Sequence, residues 1–228
     1  KLVVQEQADF GIVVDPDVDR LAFVCENGDV FGEEYTLVAC ADYVLSKTSG
    51  GTVSNMSSSR ALKDITMSHG QNYQASAVGE VNVVELMKIN KAIIGGEGNG
   101  GIIYPELHYG RDALVGIALF LSLLAEKNMT VSSLRNSYPS YFMSKKKIQL
   151  TPNLDVDNLL DKMKYRYKNQ EINDVDGVKI DFEKCWVHLR KSNTEPIIRV
   201  YTEAFSQNEA DSLAKKIITE IQQEAQQL

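Results

Sequence analysis

Six consecutive residues, Asp15-Pro16-Asp17-Val18-Asp19-Arg20, set a carboxylate at every second position. Like charges this close repel and raise one another's pKa. A divalent cation removes that cost, and hard cations such as Mg²⁺ take oxygen ligands, with water or phosphate completing the shell. Asp15, Asp17 and Asp19 are therefore candidate metal ligands. Arg20 beside them suits a phosphate. The plain alternative is a solvated acidic turn. An EF-hand does not fit, because Arg20 stands where that loop needs glycine and the flanks read as strands rather than helices.

Two further stretches carry chemistry. Gly95-Gly96-Glu97-Gly98-Asn99-Gly100-Gly101 lets the backbone turn sharply and approach a ligand. It lacks the Lys-Ser/Thr ending of a Walker loop. It contains the letters GxGxxG but no helix follows directly, so it is not a dinucleotide fingerprint. Glu97 and Asn99 offer a carboxylate and an amide that suit adjacent hydroxyls of a sugar; a plain glycine turn is the alternative. Arg190-Lys191-Ser192-Asn193-Thr194-Glu195-Pro196, followed by Arg199, offers guanidinium, hydroxyl and amide donors in a short span. That set can hold a phosphate monoester through charge-assisted bonds, against the alternative of a polar turn with solvated arginines. Arg111-Asp112 reads as a helix cap and dipole partner. His69, His108 and His188 share no metal-ligand spacing and read as structural, and Trp186 as core.

The elements that must position these loops follow from periodicity. Residues 10–14 and 21–25 are apolar strands around the acidic loop, and Asn27-Gly28 is a hairpin signal. Residues 35–45 then change to a helical period, followed by a short strand at 52–54. Helices follow at 59–68 and 79–90, a strand at 91–94, and a strong helix at 111–126. Strands alternating with helices predict an α/β layer with a mixed or largely parallel sheet. The last third changes character. Strands at 144–150, 178–182, 185–189 and 197–201 and helices at 155–167 and 206–223 predict a small α+β domain with an antiparallel sheet. The divisions expected are 1–32, the tail of an α/β domain carrying the acidic loop; 33–138, an α/β domain; and 139–228, the α+β domain.

Composition bounds the function. The chain has 228 residues and a net charge of −7, which argues against a general nucleic-acid binder. A local arginine cluster can still hold a small phosphorylated ligand. No apolar run approaches the roughly 20 residues that span a bilayer, so no membrane partner is expected. The cysteines, Cys25, Cys40 and Cys185, are far apart and odd in number, which predicts a reducing, cytoplasmic setting. The opening Lys1-Leu2-Val3-Val4, with neither Met nor a secretory leader, reads as the interior of a longer protein.

The three loops, in this order, resemble the α-D-phosphohexomutase superfamily, which includes phosphoglucomutase, phosphomannomutase and phosphoglucosamine mutase. Residues 15–20 match its Asp-Gly-Asp-x-Asp-Arg metal loop with Pro16 for Gly. Residues 96–100 match its Gly-Glu-x-Ser/Asn-Gly sugar loop, and residues 190–196 its Arg-x-Ser-Asn/Gly-Thr-x-Pro phosphate loop. Residues 78–83, Gly110-Arg111-Asp112 and residues 193–204 also look familiar. The resemblance implies that Asp15, Asp17 and Asp19 bind Mg²⁺, that Arg20 lies near the transferring phosphoryl group, and that Glu97 and Asn99 grip sugar hydroxyls. It implies that Arg190, Ser192, Asn193, Thr194 and Arg199 hold the phosphate that is not reacting. Family members have four domains, of which this chain would hold the end of the second and all of the third and fourth. The implied reaction moves a phosphoryl group between C1 and C6 of a hexose phosphate through a phosphoserine and a bisphosphate intermediate, with glucose or mannose bisphosphate as activator.

Two departures matter. The family's phosphoserine loop, of the Thr-x-Ser-His-Asn-Pro kind, has no counterpart here; residues 54–59 are serine-rich but lack His and Asn-Pro. The chain alone is therefore expected to be inactive, with the remaining N-terminal domains of a parent chain as its partners. Gly101 stands where many relatives carry His, a form that resembles the archaeal and some bacterial branches and leaves glucose, mannose and glucosamine phosphates open. A non-catalytic sugar-phosphate or metal-binding module is an alternative of another class. A haloacid-dehalogenase-like phosphatase is a third, suggested by Asp15-Pro16-Asp17-Val18, but it leaves Asp19 and the residue 190–196 loop without a purpose.

Overall fold

A computed structural model describes residues 1–149, 155–192 and 195–226. The chain folds into two compact units, Lys1–Ser140 and Tyr141–Leu228.

The first unit opens with a short helix α1 (Leu2–Gln5) and a two-stranded antiparallel hairpin, β1 (Phe10–Val14) and β2 (Leu21–Cys25), with the acidic loop at its tip. Helix α2 (Glu33–Lys47) follows, with Glu33 and Glu34 in its first turn, where the helix dipole favours acids. Next come β3 (Thr52–Asn55), α3 (Ala61–Ser68), β4 (Tyr73–Ser76), α4 (Glu80–Asn90), β5 (Ile94–Glu97) and β6 (Gly101–Ile103). The strands form a sheet in the order β4-β3-β5-β6. β3 runs parallel to β4 and β5, and β6 is antiparallel to β5. The sheet is therefore mixed. Helix α5 (Ala113–Lys127) is capped by Asp112, whose carboxylate accepts the amides of Leu114 and Val115, and ends on Asn128 in the left-handed conformation. Helix α6 (Val131–Ser137) starts at Thr130, whose hydroxyl accepts the Ser133 amide. Phe23 stacks on Phe120 at 3.8 Å, and Phe31 meets both edge-on, which anchors the hairpin to α5.

The second unit contains β7 (Phe142–Gln149), α7 (Val156–Arg166), β8 (Glu171–Asn173), β9 (Val178–Asp181), β10 (Trp186–Lys191), β11 (Ile197–Ala204) and α8 (Gln207–Ala225). Its antiparallel sheet has the order β7-β11-β10-β9-β8. Val178, Ile180, Val187, Leu189, Ile198 and Val200 pack with Leu159, Met163, Ile217 and Ile221 of α7 and α8. Ser206 caps α8; its hydroxyl accepts the Glu209 amide and donates to the Glu209 carboxylate. The α/β-then-α+β class read from the sequence is the observed one.

Several boundaries differ from the sequence reading. The strand expected at 91–94 begins at Ile94 and takes in the first three residues of the glycine run. Gly95 belongs in the strand because a Cβ there would lie 2.6 Å from both Met87 Sδ and the Val53 carbonyl oxygen. β4 and β8 escaped notice because Tyr73-Gln74-Ala75-Ser76 and Glu171-Ile172-Asn173 carry no apolar run; parallel pairing with β3 and antiparallel pairing with β9 make them strands. No single helix among the described residues is long and apolar enough to cross a membrane.

Candidate active site

The acidic loop curls on itself. The Asp15 carboxylate accepts the amides of Asp19 and Arg20 at 3.1 and 3.2 Å, and the Asp15 carbonyl accepts the Val18 amide at 3.0 Å. Val18 takes a positive φ of 56°, an uncommon conformation for a β-branched residue. The Val18 carbonyl accepts the Ala113 amide, so the loop is pinned to the first turn of α5. Partial desolvation pushes the Asp15 carboxyl up, but the two amide donors, the Asp19 side chain and the Arg20 charge outweigh it and hold it below the usual carboxylate range.

The glycine-rich run is a tight β5–β6 hairpin with Gly98, Asn99 and Gly100 at the turn. Asn99 Oδ1 accepts the Gly101 amide at 3.1 Å, which leaves its Nδ2 to donate elsewhere. The Gly98 amide donates to Ser58 Oγ at 3.0 Å. Glu97 is buried and both oxygens are engaged: Asn55 Nδ2 donates to Oε1 at 2.9 Å and Arg111 Nη1 to Oε2 at 3.0 Å. The Ser57–Arg60 turn after β3 and the turn after β5 lie at the same end of adjacent parallel strands, since Ser54 pairs with Gly96. Ligands of α/β sheets bind at that carboxyl end.

Arg111 joins the two loops. Its Nη2 contacts Asp19 Oδ2 at 2.5 Å, its Nη1 contacts Glu97 at 3.0 Å, and its Nε lies 3.4 Å from Glu80 Oε2 at the start of α4. The sequence reading gave Arg111 to the helix dipole. A cation at a helix N-terminus gains nothing from the dipole; Asp112 is the cap, and Arg111 turns to the carboxylates. Asn55, Ser58 and Glu80 were also missed. Asn55 and Ser58 signal only a position after a strand; Glu80 lies in the familiar stretch 78–83 and at a helix start, but neither signal says what lies opposite in space.

Asp15, Arg20 and Asn99 line one depression of about 250 Å³ with Leu21 and Glu33. Thus the first unit brings together Asp15, Asp19, Arg20, Glu97 and Asn99. Asp17 is exposed and does not join them; among the described residues no three Asp, Glu, His or Cys side chains converge to hold a metal ion. The donor chemistry nevertheless fits a hard divalent ion. In this cluster four acids, Asp15, Asp19, Glu80 and Glu97, face two guanidiniums, Arg20 and Arg111, which leaves two negative charges.

In the second unit, Arg190 pairs with Asp176 at 2.9 Å. Ser192 is buried, and its amide donates to the Ile197 carbonyl at 3.0 Å. Asn193 and Thr194 lie outside the described residues. The sheet register sets Arg190 opposite Arg199, and Arg199 opposite Lys147. Like charges directly opposite one another destabilise a sheet, so this row favours an anion. Lys147 also sits on an edge strand, where lysines discourage edge-to-edge pairing. Each histidine has a hydrogen-bond partner: His69 pairs with Asp42, His108 with Asp112, and His188 with the Asp176 carbonyl. Trp186 is buried, its Nε1 donating to Glu203 at 2.6 Å.

Residues 32–141 match the family model described as phosphoglucomutase/phosphomannomutase, alpha/beta/alpha domain III, and residues 152–220 match its C-terminal domain. A phosphoglucomutase/phosphomannomutase of Thermococcus kodakarensis is 35% identical over 209 residues, covering 89% of this chain and 45% of the relative. A phosphoglucosamine/phosphogalactosamine mutase of Sulfurisphaera tokodaii is 32% identical over 216 residues, covering 92% and 48%. The chain therefore spans about half the length of the curated relatives it matches. Among solved structures, a phosphoglucomutase/phosphomannomutase family protein from Burkholderia thailandensis superposes with a TM-score of 0.83 at 23% identity, covering 99% of this chain and 48% of that one. The N-acetylphosphoglucosamine mutase of Aspergillus fumigatus, solved with GlcNAc-6P and magnesium, superposes with a TM-score of 0.66 at 16% identity, covering 94% and 48%. Both show a shared fold.

Proposed function

The chain belongs to the α-D-phosphohexomutase superfamily, and from that premise we propose that it is part of an enzyme that moves a phosphoryl group between C1 and C6 of a hexose phosphate. The observation that carries this reading is the convergence in the first unit: Arg111 binds Asp19 of one loop and Glu97 of the other, and Asp15, Arg20 and Asn99 line one depression.

Each residue then has a task. Asp15, Asp17 and Asp19 would hold Mg²⁺ when it is bound. The ion neutralises charge on the transferring group. Arg20, half exposed beside Asp15, faces the same group. Phosphoryl transfer of this kind needs positioning and charge compensation more than covalent help. Asn99, with its amide nitrogen available, grips a sugar hydroxyl. Glu97 is fixed by Asn55 and Arg111, so it offers its remaining lone pairs in one orientation. Arg190, Ser192, Asn193, Thr194 and Arg199 hold the distal phosphate, with Lys147 extending the row.

The phosphoserine that donates and regains the phosphoryl group lies outside these 228 residues in this reading, and a glucose or mannose bisphosphate serves as activator. The setting is a reducing cytoplasm, consistent with three free cysteines. A second reading, phosphoglucosamine mutase, is favoured by the names of several relatives, at 32% and 30% identity.

The test is an isomerase assay with glucose, mannose and glucosamine phosphates plus the bisphosphate. A longer polypeptide that adds the serine loop should interconvert at least one of them, and the 228-residue chain alone none. A longer polypeptide that turns over no hexose phosphate, or a chain active by itself, overturns the reading.

A further inference from the structure

A protein cation holds one of the three carboxylates, Asp19, that the reading above gives to a metal ion. Arg111 spends one guanidinium nitrogen on Asp19 and another on Glu97. Its third, Nε, is buried 3.4 Å from Glu80 and makes no hydrogen bond there. The backbone that carries it is held by three bonds. The Arg111 amide donates to Glu80 Oε1 at 3.0 Å, the Asp112 amide to the Ile102 carbonyl at 2.8 Å, and the Ala113 amide to the Val18 carbonyl at 3.2 Å. Space for the side chain is reserved by a glycine, since a Cβ on Gly101 would lie 2.5 Å from Arg111 Cδ. Gly101 and Arg111 thus work as a pair: the first is bare so that the second can lie over it.

We propose that Arg111 is a built-in stand-in for the divalent ion, a positioning residue that neutralises Asp19 until the ion arrives and then yields it while keeping Glu97. The inference rests on the metal-loop reading and adds what that reading does not contain, a competition for one carboxylate and a link from the ion to the sugar grip. The charge balance requires such a competitor. Without Arg111, Asp15, Asp19, Glu80 and Glu97 would face only Arg20, a net charge of three negatives at the loop, whose shape is kept by its own backbone bonds. With Arg111 in place the ion must displace one bond of a bidentate-capable fork whose other arm stays on Glu97. Loading then changes the partners of Glu97's anchor without moving its backbone.

The test is Mn²⁺ binding to the 228-residue chain, read by calorimetry, with Asp15→Asn/Asp19→Asn, Arg111→Met and Arg111→Lys beside the wild type. The wild type should bind and the double variant should not. Arg111→Met should bind about tenfold more tightly, since a positive charge close to the ion is removed in a partly screened site. Arg111→Lys, a point charge that cannot span both acids, should fall between. Equal binding by wild type and double variant overturns the metal loop itself. Binding that is lost only in the double variant, but unchanged or weaker in Arg111→Met, leaves the metal loop standing and overturns the competition. If Arg111→Met does not fold, the arginine side-chain NMR signal of the wild type decides: saturating Mg²⁺ should shift the Arg111 Nε–H resonance, and an unmoved resonance overturns the proposal.

Discussion

The Leu21 amide donates to the Gly100 carbonyl at 3.0 Å, and this one bond straps the tip of the β5–β6 hairpin to the strand leaving the acidic loop. The two loops are therefore fixed to each other by backbone as well as by Arg111. Gly100 has φ +83°, and a Cβ there would sit 2.1 Å from the Leu21 carbonyl oxygen. Gly100→Ala should cost about 3 kcal/mol or more in urea unfolding, from strain and backbone collision together. Gly70→Ala, at φ +69° with nothing within 4 Å, isolates the conformational part and should cost only about 1 kcal/mol. Equal losses would mean that the strap is loose.

The row Lys147–Arg199–Arg190 should answer to anions. Arg199→Ala should weaken hexose phosphate binding about tenfold, the scale of one charge-assisted contact, and Lys147→Ala about threefold, both less at high salt. Calorimetry at two salt concentrations checks this. If Lys147 serves only to guard the sheet edge, its removal will leave affinity untouched and raise aggregation instead.

His188 should make the second unit sensitive to mild acid. Burial pushes its imidazole down to about 4, against the Asp176 carbonyl contact that favours the charged form. The folded protein refuses a proton that the unfolded chain accepts near 6.5. Stability is thus full above about 6.5 and is lost as pH falls toward 4. An NMR titration should place the His188 midpoint near 4; a midpoint near 6.5 removes the effect.

Glu26 caps α6 from a distance. Its carboxylate accepts the Ser132 amide at 3.1 Å and the Ser132 hydroxyl. Desolvation opposes the charge, but these donors win and hold the carboxyl at about 2. The folded form is the stronger acid, so this contribution is present above about 4.5 and fades as pH falls toward 2. Glu26→Gln should cost about 1 kcal/mol at pH 7, the usual worth of a cap, and nothing near pH 2. A constant cost across that range would contradict the assignment.

The motif residues were legible in the sequence because chemistry that needs a charge or a turn must show its residue types locally. Asp15, Asp19, Glu97 and Asn99 could be named from spacing and glycine content alone. The helices with good caps, α5 behind Asp112 and α8 behind Ser206, were equally open, since a cap acts within four residues. β4 could not be read, because a polar strand of Tyr-Gln-Ala-Ser is made by its neighbour rather than by its own composition.

What the sequence determined by itself is the inventory: three loops, their order, and two kinds of domain, all written in short-range patterns. Only the tertiary structure decided that Arg111, 92 residues from Asp19 and 14 from Glu97, would hold both. Ion pairs depend on distance in space, and a charge does not advertise its partner along the chain. The fold brings α5, the β5–β6 hairpin and the acidic loop to one place, and Gly101 clears the room in which the guanidinium lies.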